Sequence, residues 1–143
     1  MKAKNFLSQI QKLDKLIENK MIEVQHWKEV ARNTTASFEG ERVQSTHNPH
    51  KIENAIANYM DLETEIKKDI AALTEKRKNI ISVIEQLNTT EYDLLHKIYV
   101  QGIALQDAAD ACGNSYSWVT TTHGRALKQV QIILNNMGDE CVI

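Results

Sequence analysis

Apolar residues recur along the first third of the chain at alternating steps of three and four: Phe6, Ile10, Leu13, Ile17, Val24, Trp27 and Ala31. That period is the signature of an amphipathic helix, and only Lys20 stands where an apolar residue is due. Such a helix is longer than most in globular proteins and needs an equally long partner to bury its stripe. Residues 33–50 lose the period and gather Thr, Ser, Asn, Gly and the single proline, which predicts a loop. A second periodic segment follows, in which Ile52, Tyr59, Ile66, Leu73, Ile80 and Leu87 recur every seven residues. Ala55, Leu62 and Val83 occupy the intervening seam, Asp69 and Lys76 interrupt it, and Ile56, Ile70 and Ile84 widen the stripe. The pattern predicts a long helix packed on more than one neighbour, either as an antiparallel hairpin with the first helix or between chains.

The period changes again at Asn88-Thr89-Thr90-Glu91, where a threonine is expected to cap a new helix whose positive end suits Glu91 and Asp93. Leu94, Leu95 and Ile98 share one face, and Gly102 is expected to end the helix in a left-handed conformation. A short helix over 105–111 turns Ala108 and Ala109 inward, and Cys112-Gly113-Asn114-Ser115 reads as a tight turn. Gly113 supplies positive φ there, and Ser115 caps a helix running from about Tyr116 through Leu127, with an extension to Leu134 left open. Short helix, glycine turn and longer helix make a helix-turn-helix, with Ala109, Gly113 and Val119 as small residue, turn and anchor. Asn114 and Thr122 stand where more apolar residues are usual.

The residues of this last segment resemble a known module. The run Thr90-Glu91, Leu94-Leu95, Ile98-Tyr99, Gly102, Leu105, Ala108-Ala109, Gly113, Ser115, Val119 and Arg125-Ala126-Leu127 is similar to domain 4 of bacterial sigma factors, which reads the −35 promoter element. Nearly the whole chain also resembles a family of small prophage-encoded proteins of Gram-positive bacteria, usually labelled phage transcriptional regulators. That likeness rests on Arg42-Val43-Gln44-Ser45-Thr46, on Leu62-Glu63 with Glu65-Ile66, and on His123-Gly124-Arg125-Ala126-Leu127. The resemblance implies double-stranded DNA as a partner, with Ser115, Tyr116, Ser117, Thr120, Thr121, His123, Arg125 and Lys128 on the reading surface. Arg42, Gln44 and Ser45 are candidate contacts from the 33–50 linker; the bland reading is that Val43 staples the loop while its neighbours satisfy turn backbone.

Charge complicates that picture. The chain carries 17 Lys and Arg against 19 Asp and Glu, a formal charge of −2. Residues 88–143 hold Lys97, Arg125 and Lys128 against Glu91, Asp93, Asp107, Asp110, Asp139 and Glu140, a net −3. Free-standing DNA-binding domains are ordinarily basic. Tyr, Ser and Thr hydroxyls serve phosphates, but bidentate guanine reading needs Arg or Lys at the front of the helix. DNA binding would therefore lean on dimerisation, on basic residues elsewhere, or on RNA polymerase holding the module in place.

Other chemistry is thin. His47 and His50 flank Asn48-Pro49 without the partners that complete a metal site. No phosphate-binding glycine loop, nucleophile elbow or Cys/His pair is present, so neither an enzyme nor a cofactor is expected. Cys112 and Cys141 stand far apart and read as reduced thiols, and no stretch is apolar enough to span a bilayer. Trp27 reads as core, while Trp118 suits either packing or exposure.

The expected protein is all-α and cytoplasmic: a long helical hairpin or coiled coil over 1–87, then a sigma domain 4-like helix-turn-helix over 88–143. A homodimer is expected from the heptads. The expected function is DNA-binding transcriptional regulation. The alternative is an adaptor that docks on RNA polymerase or a phage partner without gripping DNA itself.

Overall fold

A computed structural model describes residues 1–40 and 49–138, with side chains for all of these except 34–40, 49–53 and 55. The protein is all-α. Helix α1 covers Ala3–Gly40, α2 Pro49–Ile84, α3 Thr89–Leu95, α4 Leu105–Cys112 and α5 Tyr116–Met137, and a π-helical turn at His96–Val100 follows α3 directly. Among the described residues there is no strand.

Two boundaries differ from the sequence expectation. Residues 33–40 and 49–50 are helical, so the gap between the long helices is shorter than the predicted loop over 33–50. Extending an existing helix through Thr34, Thr35 and Ser37 costs only a few tenths of a kcal/mol per residue, far less than nucleating a new one. Pro49 occupies the first position of α2, where its missing N–H breaks no helical bond. The second difference lies at α3, whose cap is Asn88 rather than a threonine: its side chain accepts the Glu91 N–H at 2.9 Å.

The chain forms two compact units. One comprises Lys15–Thr74; the other joins Met1–Asp14 to Glu75–Ile143. The second unit draws the start of α1 and the end of α2 in with the C-terminal helices, across the boundary at 88 expected from the sequence. Leu7, Ile10, Val83, Ile84, Leu94, Leu95, Val119 and Val130 are its largest fully buried side chains. The start of α1 meets three neighbours there. The Ala3 amide donates to the Gln131 side-chain oxygen of α5 at 2.8 Å, Asp14 pairs with Arg77 of α2, and Gln11 reaches toward Gly102.

In the Lys15–Thr74 unit, α1 and α2 run antiparallel, because Lys20 meets Asp69 at 3.3 Å and Lys28 meets Glu63 at 3.8 Å. Lys20 and Asp69 are the charged breaks in the seams that fall within this unit, and they face each other. Each break thus supplies the other's partner at the register the two helices adopt. Glu63 is held below the ordinary carboxylate range, first by the hydrogen bond from Lys67 and then by that from Tyr59. Trp27, expected in the core, is half-buried with its ring edge-on to His26. A layer of only two helices leaves one side of a large ring uncovered.

Candidate nucleic-acid interface

The seating of α5 begins with the turn before it. Gly113 has φ 67° and ψ 28°, a left-handed conformation that a side chain makes costly. The Asn114 amide bonds back to the Ala109 carbonyl at 3.0 Å and the Gly113 amide to the Asp110 carbonyl at 3.2 Å. These two bonds form a Schellman closure of α4, satisfying carbonyls the helix end would leave open. Asn114, unusual by sequence, uses its side-chain nitrogen to donate to the Cys112 carbonyl. One residue later Ser115 caps α5, its hydroxyl oxygen accepting the Trp118 amide at 3.1 Å. The chain therefore stops one helix and starts the next within three residues.

Burial then sets the rotation of α5. Val119, Thr122, Ala126 and Val130 are buried, at steps of three and four, and define its inward face. Beneath the first turns lies a cluster of Leu94, Ala108, Ala109 and Val119, covered at its edge by Ile98, Ile103, Leu105 and Trp118. Ala108 and Ala109 carry no bulk beyond Cβ, so α4 and α5 approach closely. Trp118 belongs to this packing, half-buried against the cluster. Thr122 is only 7% exposed, and its γ-methyl suits the interior as well as a polar residue can.

The opposite face follows by helical geometry. Ser117, Thr121, Gly124 and Lys128, at steps of four, three and four, point away from the buried stripe and are all exposed. Arg125 lies one turn beyond Thr121 on the same side, also exposed, and Tyr116 is 50% exposed at the first turn. Ser115 is exposed too; its cap uses the oxygen as acceptor and leaves the hydroxyl able to donate. Six of the eight expected reading residues are thus exposed: Ser115, Tyr116, Ser117, Thr121, Arg125 and Lys128.

The other two are placed differently. Thr120 is half-buried, and its hydroxyl donates to the Ser117 carbonyl at 2.9 Å, a bond within the helix. His123 lies only one residue from Thr122 and faces inward enough to stack on Tyr99 of the π-helical turn. The ring centroids are 5.8 Å apart at 19°, and the Tyr99 hydroxyl stands 2.9 Å from His123 Nε2. Burial, reinforced by the nearby Lys4 charge, pushes the His123 imidazole below its ordinary value. Burial likewise raises the Tyr99 phenol. Both groups are therefore neutral near pH 7.

Gly124 was not among the expected contacts. It sits mid-helix on the outward face, and a Cβ built there would meet nothing within 4 Å. A glycine in a helix interior costs about 1 kcal/mol relative to alanine, and no contact among the described residues explains it. The phase of Val119 and Ala126 was enough to place it on the outward stripe.

Arg42, Gln44 and Ser45 lie outside the described residues, as do His47 and Cys141. Cys112 is a half-buried free thiol. Among the described residues no group of three His, Cys, Asp or Glu side chains could hold a metal ion, and no helix is long and apolar enough to cross a membrane. No family model, curated protein or solved structure matches the chain.

Proposed function

We propose that this chain is a DNA-binding transcriptional regulator, of the phage-derived kind its resemblance implies, in which α4 and α5 act as a helix-turn-helix and α5 enters the major groove. The observation that carries this reading is the state of α5: capped, fixed in rotation by four buried residues, and presenting an exposed polar face at Ser117, Thr121, Arg125 and Lys128. Ser115, Tyr116, Ser117 and Thr121 suit phosphates and base edges by hydroxyl hydrogen bonds, and Arg125 and Lys128 supply charge toward the middle of the helix. On this reading the protein works in the cytoplasm as a homodimer, so that two weak modules engage DNA together.

A second reading is favoured by charge. With three basic groups against six acidic ones in residues 88–143, the C-terminal segment repels a phosphate backbone overall. An adaptor that docks on RNA polymerase or a phage partner needs no such attraction. Selection from a random duplex library with the full chain separates the two. The regulator enriches a defined sequence, and the combined Tyr116→Ala, Thr121→Ala and Arg125→Ala protein loses that enrichment. Enrichment that persists in the triple variant sinks the groove model, and no enrichment from the unaltered chain favours the adaptor.

A further inference from the structure

The Tyr99–His123 pair joins the π-helical turn to α5 beside the apolar cluster of Leu94, Ile98 and Val119. Tyr99 lies in the π-helical turn, and a π turn inserts an extra residue that rotates the side chains beyond it. Here the widened turn is closed by the Gln101 amide on the His96 carbonyl at 3.0 Å, and Tyr99 is buried with 6% exposure. Its ring lies nearly flat on His123, and the 2.9 Å contact ties its hydroxyl to Nε2. Among the described residues the groups bearing on His123 are Tyr99 from the turn and Lys4 from α1, and no carboxylate is among them.

We propose that the Tyr99–His123 contact is a proton-sensitive latch that seats α5 on the π-helical turn and loosens when the imidazole is protonated. On this proposal the neutral imidazole is the tautomer protonated on its second ring nitrogen, so that Nε2 accepts the Tyr99 hydroxyl proton. Protonation turns Nε2 into a donor, so Tyr99 can no longer donate to it and must reverse its role. It also places a cation in a half-buried site that already feels the Lys4 charge, with no acid among the described residues to offset it. The inference concerns how α5 is seated and goes beyond the reading above, since it holds whether the outward face meets DNA or protein.

The sign follows from linkage. In the folded chain the imidazole resists protonation, whereas in the unfolded chain it takes up a proton near its ordinary value of 6.5. The latch therefore contributes fully above that value, and its contribution is lost as pH falls below 6.5 through the lowered folded value.

The test uses the full chain between pH 8 and pH 5, following the thermal midpoint and the exchange of α5 amides, with the His123 ring nitrogens observed by NMR. The expected result is a neutral imidazole at pH 7 with Nε2 unprotonated, and a midpoint that falls on acidification more steeply than in His123→Gln. Tyr99→Phe keeps the ring and removes the hydroxyl; it is expected to bring the His123 titration closer to the ordinary range and to speed α5 exchange at pH 8. Equal pH profiles for wild type and His123→Gln overturn the proposal. So does a His123 that titrates in its ordinary range in the wild-type chain, a measurement that decides the matter even where His123→Gln fails to fold.

Discussion

The Lys15–Thr74 unit and the unit containing the C-terminal helices are built from equally regular apolar patterns, yet they bury very different amounts of them. In the first, Ile66 is the buried apolar side chain among the described residues, while Leu16, Met21, Ile22, Val30, Ile56 and Met60 are exposed. In the second, the same heptad that contains Ile66 continues to Ile80, which is buried, and Val83, Ile84, Leu94, Leu95 and Val119 are buried with it. The difference is one of layers. Two helices cover each other along a single seam, whereas residues surrounded by α1, α2, α3, α4 and α5 are closed on every side. Periodicity records which face of a helix is apolar, and burial depends on how many neighbours that face finds.

The largest effect that sharpens this contrast is expected from Leu94→Ala. Leu94 is fully buried at the centre of the α4–α5 cluster, so truncation leaves a cavity and costs about 2 to 5 kcal/mol. Ile66→Ala, in the two-helix unit, is expected to cost less because the open seam can relax around the loss. Urea unfolding of both variants measures the gap, and equal losses would break the comparison.

Gly113→Ala comes next. Nothing crowds a Cβ at that position, so the cost is the left-handed backbone alone, about 1 to 2 kcal/mol. A thermal midpoint unchanged by this substitution would mean that the turn between α4 and α5 relaxes into another form.

Gly124→Ala is expected to act in the opposite direction, stabilising the chain by about 1 kcal/mol through helix propensity. Joined to a binding assay it becomes more informative. If the outward face of α5 meets a groove closely, the added methyl weakens binding while the fold gains stability.

The smallest effect is expected in the two-helix unit. A double-mutant cycle on Lys20→Ala and Asp69→Ala should give a coupling of about 0.2 to 1 kcal/mol that shrinks with salt, since the two side chains are 32% and 47% exposed. A coupling well above that range would show the seam to be drier than its exposure implies.

Much of the fold was legible because local rules decided it. Gly102 and Gly113 take positive φ where the sequence placed helix ends, and Ser115 caps α5. The reading failed where tertiary neighbours decide. Lys20 and Asp69 each look like a defect until α1 and α2 are set side by side. His123 directly follows the hydroxyl run Thr120-Thr121-Thr122, and only the placement of Tyr99 on the π-helical turn shows that its ring faces inward. Thr120 is lost to the outward face for a different reason: its hydroxyl bonds back to the helix that carries it. The linker residues Arg42, Gln44 and Ser45 stay as sequence candidates, since they lie outside the described residues.

The central claim is that the outward face of α5 grips DNA, and it is tested most directly by a salt titration. The full chain is titrated onto duplex fragments from its own upstream and neighbouring DNA at several salt concentrations, in parallel with Arg125→Ala and Lys128→Ala. The account predicts selective binding whose affinity falls steeply with salt, and a shallower salt slope in each variant as a phosphate contact is removed. Binding that is absent at micromolar protein, or whose salt slope is the same in all three proteins, would contradict it.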